Sequence, residues 1–115
     1  MSKLVSDYLL YLGFNPVRSG YKYLNDLIDM QLRGERILPL KQNGYSKIAL
    51  KYNKTPDVID KNIQNSISHV WLKGDSKCLE SEFGATIDPS RGKPTNKQLI
   101  ATISDKLSYN RVNHI

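Results

Sequence analysis

Apolar residues recur at helical spacing along most of the chain, and glycine and proline interrupt this pattern at intervals. Leu4, Tyr8 and Leu12, for example, share one face of the first segment, and Gly13 follows it. No segment alternates apolar and polar residues convincingly, so we predict an all-α fold. The pattern predicts six helices, at about residues 3–12, 21–32, 45–52, 56–73 and 76–83, with a sixth that begins after Thr95.

Residue types at two of the predicted helix starts match known capping patterns. Thr55 is a good N-cap residue, and Pro56 suits the first helical position that follows it. Thr95 and Gln98 have the spacing of a capping box at the start of the last helix. These signals predict where the fourth and sixth helices begin.

The length of 115 residues suits one domain that can bury a core without disulfide or metal cross-links. We expect a single domain over residues 1–115, with frayed ends at 1–3 and 108–115 and a short extended piece at 85–87. Cys78 is the only cysteine, so it cannot form an internal disulfide, and we interpret it as a small core residue.

The chain is basic, with 17 Lys and Arg against 11 Asp and Glu, a net charge of +6 and a sequence pI of about 9.5. This balance favours nucleic acid or an acidic membrane surface as a partner, although it also fits a solubilising surface. No apolar run has the length of a membrane span, and the N-terminal segment lacks the features of a signal peptide. We therefore predict a cytoplasmic protein that does not bind membranes.

The segments on either side of Asn53 have the features that a DNA-reading helix-turn-helix requires. Ala49 is a small residue where the second helix would cross the first, and Asn53 tolerates the left-handed backbone of a tight turn. Ile59 and Ile63 follow at core spacing. We therefore predict that the helix beginning at Pro56 reads the major groove of duplex DNA.

The predicted reading helix has one apolar and one polar face. Its apolar residues are Ile59, Ile63, Ile67, Val70 and Trp71, so we predict a core position for the tryptophan. On the polar face, Gln and Asn can bind adenine edges, and Lys can donate to guanine. The alternative is an ordinary solvated face, but such faces are usually rich in Glu and Lys pairs. The predicted base-reading residues are Asp60, Lys61, Gln64, Asn65 and Ser68.

Basic residues flank the predicted turn and occur again in a later loop. We expect them, together with the hydroxyl group of a threonine at the turn, to contact DNA phosphates. Such contacts position a protein on the duplex and account for most of its salt-sensitive affinity. The predicted phosphate-contacting residues are Lys47, Lys51, Lys54, Thr55, Arg91 and Lys93.

Five stretches of the chain form a specific set: GYKYL at 20–24, IALKYNKT at 48–55, WLKG at 71–74, FGAT at 83–86 and KPTN at 93–96. With them the chain resembles, from about Leu4 to Leu107, the C-terminal DNA-binding domain of the stage-zero sporulation response regulator of Firmicutes. The resemblance implies a six-helix fold with a helix-turn-helix that binds duplex DNA in tandem copies. It also implies a transcriptional activator or repressor, with RNA polymerase as a further candidate partner.

The chain departs from this family's pattern in two respects. The family's regulator has a phosphorylated receiver domain before the DNA-binding domain, whereas Met1 here directly precedes the effector-like segment. We therefore expect a stand-alone domain that binds DNA without phosphorylation. The family's reading helix also has three arginines where this chain has Val58, Lys61 and Gln64, while the acidic position persists as Asp60. Because lysine is not equivalent to arginine at a bidentate guanine contact, recognition of the family's own DNA box does not follow.

Other functions have less support in the sequence. The chain has no glycine-rich phosphate loop and no metal-ligand spacing, and its two histidines, His69 and His114, are far apart. We therefore predict that it is not an enzyme and needs no metal or cofactor. Two roles remain open beside transcriptional regulation, namely a protein-interaction antagonist of a full-length sporulation-type regulator and an accessory DNA-binding protein of a plasmid or phage.

Overall fold

The computed structural model describes residues 2–84, 87 and 90–113, and side chains as far as residue 108. The helices are α1 (Lys3–Leu12), α2 (Ser19–Leu32), α3 (Gly44–Tyr52), α4 (Pro56–Lys73), α5 (Ser76–Phe83) and α6 (Asn96–Asn113). Since these residues contain no β-strand, the predicted all-α fold is confirmed. The bounds of α1, α4 and α5 agree with the predicted ones, and α2 and α3 begin slightly earlier than predicted.

Helix α2 lies at the centre of the fold. It packs against α1, α3, α4 and α6. Residues 23–28 of α2 are buried without interruption, so all sides of the middle of this helix are covered. Helix α4 in turn packs against α2, α3 and α6. The orientation of the predicted reading helix is therefore set by three neighbouring helices.

Helices α2 and α4 approach each other closely at Gly20. A Cβ atom added at this position would lie 2.5 Å from the carbonyl oxygen of Asn62 on α4. Such a distance is far below van der Waals contact, so a larger residue would push the two helices apart. The glycine therefore allows α4 to lie directly on the central helix.

Trp71 lies at the edge of the core. Its indole packs edge-on against the ring of Phe83, with the ring centroids 5.4 Å apart, and its side chain is only half-buried. Phe83 itself is 1% exposed. The prediction that Trp71 is a core residue therefore overestimated the burial of its side chain. The reason is that α5 follows α4 directly and fills the core position with Phe83, while Trp71 covers its outer side. Cys78, also predicted as a core residue, is likewise half-buried.

Helix α6 continues to Asn113, beyond the apolar stripe that ends at Leu107. The fraying expected at residues 1–3 and 108–115 stays a prediction. The extended piece expected at 85–87 includes two residues that lie outside the described part of the chain, as does His114. Within the described residues, no helix has the length and apolar character needed to cross a membrane.

Candidate nucleic-acid interface

A three-residue turn connects α3 to α4. Asn53 ends α3 in the left-handed conformation, with φ 56° and ψ 50°, as its residue type predicted. The backbone N–H of Lys54 then donates to the carbonyl oxygen of Ala49 at 2.9 Å. Thr55 caps α4, because its side-chain oxygen accepts a hydrogen bond from the Val58 N–H at 3.2 Å. The predicted cap is confirmed, and the direction in which α4 leaves the turn is fixed by local hydrogen bonds.

Helix α4 presents one buried and one open face. The buried side consists of Ile59, Ile63, Ser66, Ile67 and Val70. It contains four of the five residues of the predicted apolar stripe, with Ser66 added and Trp71 only half-buried. On the other side Lys61, Gln64 and Asn65 are exposed to solvent, whereas Asp60 and Ser68 are half-buried. Three of the five predicted base-reading residues therefore lie on an open surface.

Asp60 uses both carboxylate oxygens for contacts within the protein. Its Oδ2 atom accepts a hydrogen bond from Nε2 of Gln64 at 2.9 Å. Its Oδ1 atom accepts from Nδ2 of Asn96 at 3.1 Å, and the backbone carbonyl of Asp60 accepts from the same nitrogen at 3.2 Å. This side chain therefore connects α4 to the beginning of α6, which differs from the role of a free base reader that the sequence suggested.

Asn96 also reaches α3. Its Nδ2 atom donates to the hydroxyl oxygen of Tyr45 at 3.0 Å, in a buried position. Burial is the largest cause that raises the pKa of Tyr45 to about 12; the hydrogen bond from Asn96 opposes the shift, and Asp60 adds to it. The predicted capping box is confirmed next to this contact, since Thr95 and Gln98 exchange hydrogen bonds of 2.9 and 3.1 Å. The start of α6 is therefore attached to both α3 and α4.

A basic groove of about 450 Å³ lies beside α4, between this helix, the start of α3 and the segment 91–97. Lys93 connects the segment 91–97 to α4 at this groove, because its Nζ atom donates a hydrogen bond to the hydroxyl of Ser68. Asp60 is the one carboxylate among the described lining residues. The four cationic residues that line the groove are Lys41, Arg91, Lys93 and Lys97. This excess of positive charge suits the binding of a polyanion.

Lys47 and Lys51 have partners within the protein, although the sequence suggested them as phosphate contacts. The Nζ atom of Lys47 donates to the carbonyl oxygen of Arg36 at 2.9 Å. Lys51 pairs with the buried Asp26, and the hydrogen bond that the lysine donates to this carboxylate is the largest cause that raises the lysine's pKa. Both lysines line a second groove in which Arg33 is accompanied by three carboxylates, those of Asp26, Asp29 and Glu35. Within this groove the positive and negative charges are balanced, and a role of these two lysines as phosphate contacts stays a prediction.

Comparison with known protein families shows to which family the chain belongs. The family described as "Sporulation initiation factor Spo0A C terminal" matches residues 5–107, a range that reaches from α1 into α6. The chain belongs to this family. Its members' domain is a DNA-binding domain of a sporulation regulator, so the resemblance noted in the sequence is confirmed.

Two basic residues of this Spo0A-type domain were missed by the sequence analysis. Lys41 lies in the groove and forms an ion pair with Asp57 of α4 at 3.3 Å. Lys97 lies within the capping box, in the first turn of α6, and is exposed. The position of Lys97 between the two capping-box residues was a usable signal, whereas nothing near Lys41 in the sequence indicated that it would approach α4. Among the described residues, no group of three or more His, Cys, Asp and Glu side chains is placed to hold a metal ion.

Proposed function

We propose that this protein is a sequence-specific transcriptional regulator that reads the major groove of duplex DNA with α4. The observation that carries the proposal is the position of the open polar face of α4 directly beside a groove with four cationic side chains. Membership of a DNA-binding family supports it independently. In this reading α3, the turn at Asn53 and α4 act as a helix-turn-helix.

The base contacts are assigned to the exposed residues of α4. Gln64 and Asn65 carry amides that can form a two-bond contact with adenine, and Lys61 can donate to the acceptor atoms of guanine. All three side chains are exposed and lie on the side opposite the buried stripe. A helix that enters the major groove with this face requires no change in the packing of the core.

The phosphate contacts are assigned mainly to the rim of the basic groove. Arg91, Lys93 and Lys97 lie on one side of α4, and Lys54 with Thr55 lies at its N-terminal end. Contacts beside a reading helix and at its N-terminal end would hold it in register on the DNA backbone. Because each neutralised phosphate releases condensed counterions, we expect the affinity to fall steeply as the salt concentration rises.

Occupation of DNA by two or more copies is a part of the same proposal. A single reading helix covers only a few base pairs, which limits the specificity that one copy can reach. Footprinting of the selected duplex at saturation is expected to show a protected region longer than one helix can contact. A single short footprint with one protein per site would rule out this part of the proposal.

The decisive experiment compares two variants on a pool of randomised duplexes at two salt concentrations. Gln64→Ala should cost about 1–3 kcal/mol on the preferred sequence and relax the choice of one base, because it removes a base-edge contact. Lys93→Ala should weaken binding to all sequences about equally and lower the salt slope by about one unit.

Lys3→Ala is a matched control for the loss of one positive charge, since this exposed lysine lies on α1 and forms its ion pair with Asp7. It should leave both the selected sequence and the salt slope nearly unchanged. Failure of the wild-type protein to enrich any sequence would refute the proposed function. If Gln64→Ala, Lys61→Ala and Asn65→Ala all left the selected sequence unchanged, α4 would not be the reading helix.

A further inference from the structure

The hydrogen bond between Asp60 and Gln64 affects which DNA base Gln64 can recognise. This inference rests on the proposed function. The two residues are one helical turn apart on α4, and Oδ2 of Asp60 lies 2.9 Å from Nε2 of Gln64. A carboxylate can only accept hydrogen bonds, so the nitrogen end of the glutamine amide must face it. The carbonyl oxygen Oε1 of Gln64 is then directed away from Asp60.

Asp60 is itself held in place by groups on another helix. Nδ2 of Asn96 donates to its Oδ1 atom and to its backbone carbonyl. The same nitrogen is anchored to the hydroxyl of Tyr45 on α3. These hydrogen bonds from α6 therefore hold the Asp60 side chain in one rotamer. Asp60 in turn orients the amide of Gln64, which is exposed on the open face of α4.

We propose that Asp60 is a specificity-determining positioning residue, which acts through Gln64 and does not itself bind a base. It fixes the order in which the glutamine amide presents its acceptor oxygen and its remaining N–H to the major groove. Adenine requires an acceptor for its N6 amino group and a donor for its N7 atom, in a set order. An amide that could rotate freely would present the two groups in either order and would discriminate less between adenine and guanine.

Asp60→Asn is the sharpest test, because it keeps the size of the side chain. Its Oδ1 atom can still accept the hydrogen bond from Asn96, so the new amide nitrogen takes the place of Oδ2. This nitrogen is a donor, and Gln64 must turn its amide over to offer Oε1 to it. The variant is therefore expected to invert the glutamine amide without removing either side chain.

Selection from the randomised pool should show that Asp60→Asn lowers the preference for adenine at one position by about tenfold. In the Gln64→Ala background the same substitution should have no further effect on base preference, because the side chain through which it acts is gone. Asp57→Asn is the matched control: it removes the same charge from an exposed position on the same helix. It should change the affinity for all sequences alike and leave the preferred base unchanged.

A measurement without DNA separates this inference from the proposed function. In the free protein, the NMR signals of the Gln64 Nε2 protons should show a hydrogen bond to the carboxylate, and Asp60→Asn should abolish it. Unchanged Gln64 signals in Asp60→Asn would overturn the inference, whatever the DNA results. An effect of Asp60→Asn on base preference that persisted in the Gln64→Ala background would also overturn it. If wild type selected no sequence while the Gln64 signals changed as expected, the reading function would fail and the orientation of the amide would stand.

Discussion

The Nζ atom of Lys51 lies 2.9 Å from Oδ2 of Asp26, whose side chain is only 7% exposed. The hydroxyl of Tyr52 donates to the same oxygen at 2.5 Å. A buried carboxylate needs such partners, because an unpaired charge in the core is costly. Lys51 is therefore part of the contact between α2 and α3, although it precedes by only a few residues the turn at which DNA contacts are expected.

Lys51→Ala and Lys54→Ala should have opposite phenotypes. Lys51→Ala is expected to lower the free energy of unfolding by about 1–2 kcal/mol, because Asp26 loses a charged hydrogen-bond donor at a half-exposed site. Lys54→Ala should leave stability within about 0.5 kcal/mol and reduce the salt slope of DNA binding by about one unit. Urea unfolding and salt-dependent binding measure both. Equal stability of the two variants would contradict the assignment of Lys51.

Gly20→Ala should destabilise the protein by about 1–3 kcal/mol, although alanine is the better helix former. The added methyl group would meet the backbone oxygen of Asn62, which cannot move without displacing α4. Ser19→Ala, at the preceding exposed position, is the control and should be close to neutral. Thermal and urea unfolding give the comparison. A more stable Gly20→Ala variant would show that the two helices can separate at no cost.

Phe83→Ala should be more destabilising than Trp71→Ala, despite the larger size of tryptophan. Phe83 is fully buried, so its removal is expected to cost about 3–5 kcal/mol, whereas the half-buried Trp71 should cost roughly half as much. Trp71 is the only tryptophan, so its fluorescence in the folded protein should have a maximum between the buried and exposed extremes. A fully blue-shifted maximum, together with a larger cost for Trp71→Ala, would contradict its placement at the edge of the core.

Alkaline pH should destabilise the protein through Tyr45. The folded protein raises the pKa of this phenol from 10.0 to about 12, so it holds the proton more tightly than the unfolded chain does. The resulting stability is fully present below pH 10 and is lost as the pH rises toward about 12. At about pH 11 the loss from this group should be up to about 1 kcal/mol. Urea unfolding at pH 8 and 11 should show a smaller decrease for Tyr45→Phe than for wild type. Identical decreases would contradict this cause.

The features that the sequence predicted well are those that depend on near neighbours in the chain. The apolar spacing located α1, α4 and α5 to the residue, since helical periodicity repeats every three to four positions. The caps at Thr55 and Thr95 were also predictable, because each satisfies backbone groups only three residues away. The open polar face of α4 followed from the same periodicity. For this protein the sequence by itself therefore determined the number of helices, the bounds of α1, α4 and α5, and the membership of the family.

Only the tertiary structure decided which polar side chains are free to bind a partner. Lys51 and Asp60 have partners on other helices that lie 25 and 36 positions away in the chain, respectively. No local pattern encodes such pairs, because they arise from how α2 packs against α3 and α4 against α6. The burial of Trp71 was misjudged for the same reason, since a helical wheel shows the side of a helix but not which neighbouring side chain fills the core beside it. Charge and periodicity thus identify candidate residues, and packing determines which of them remain available.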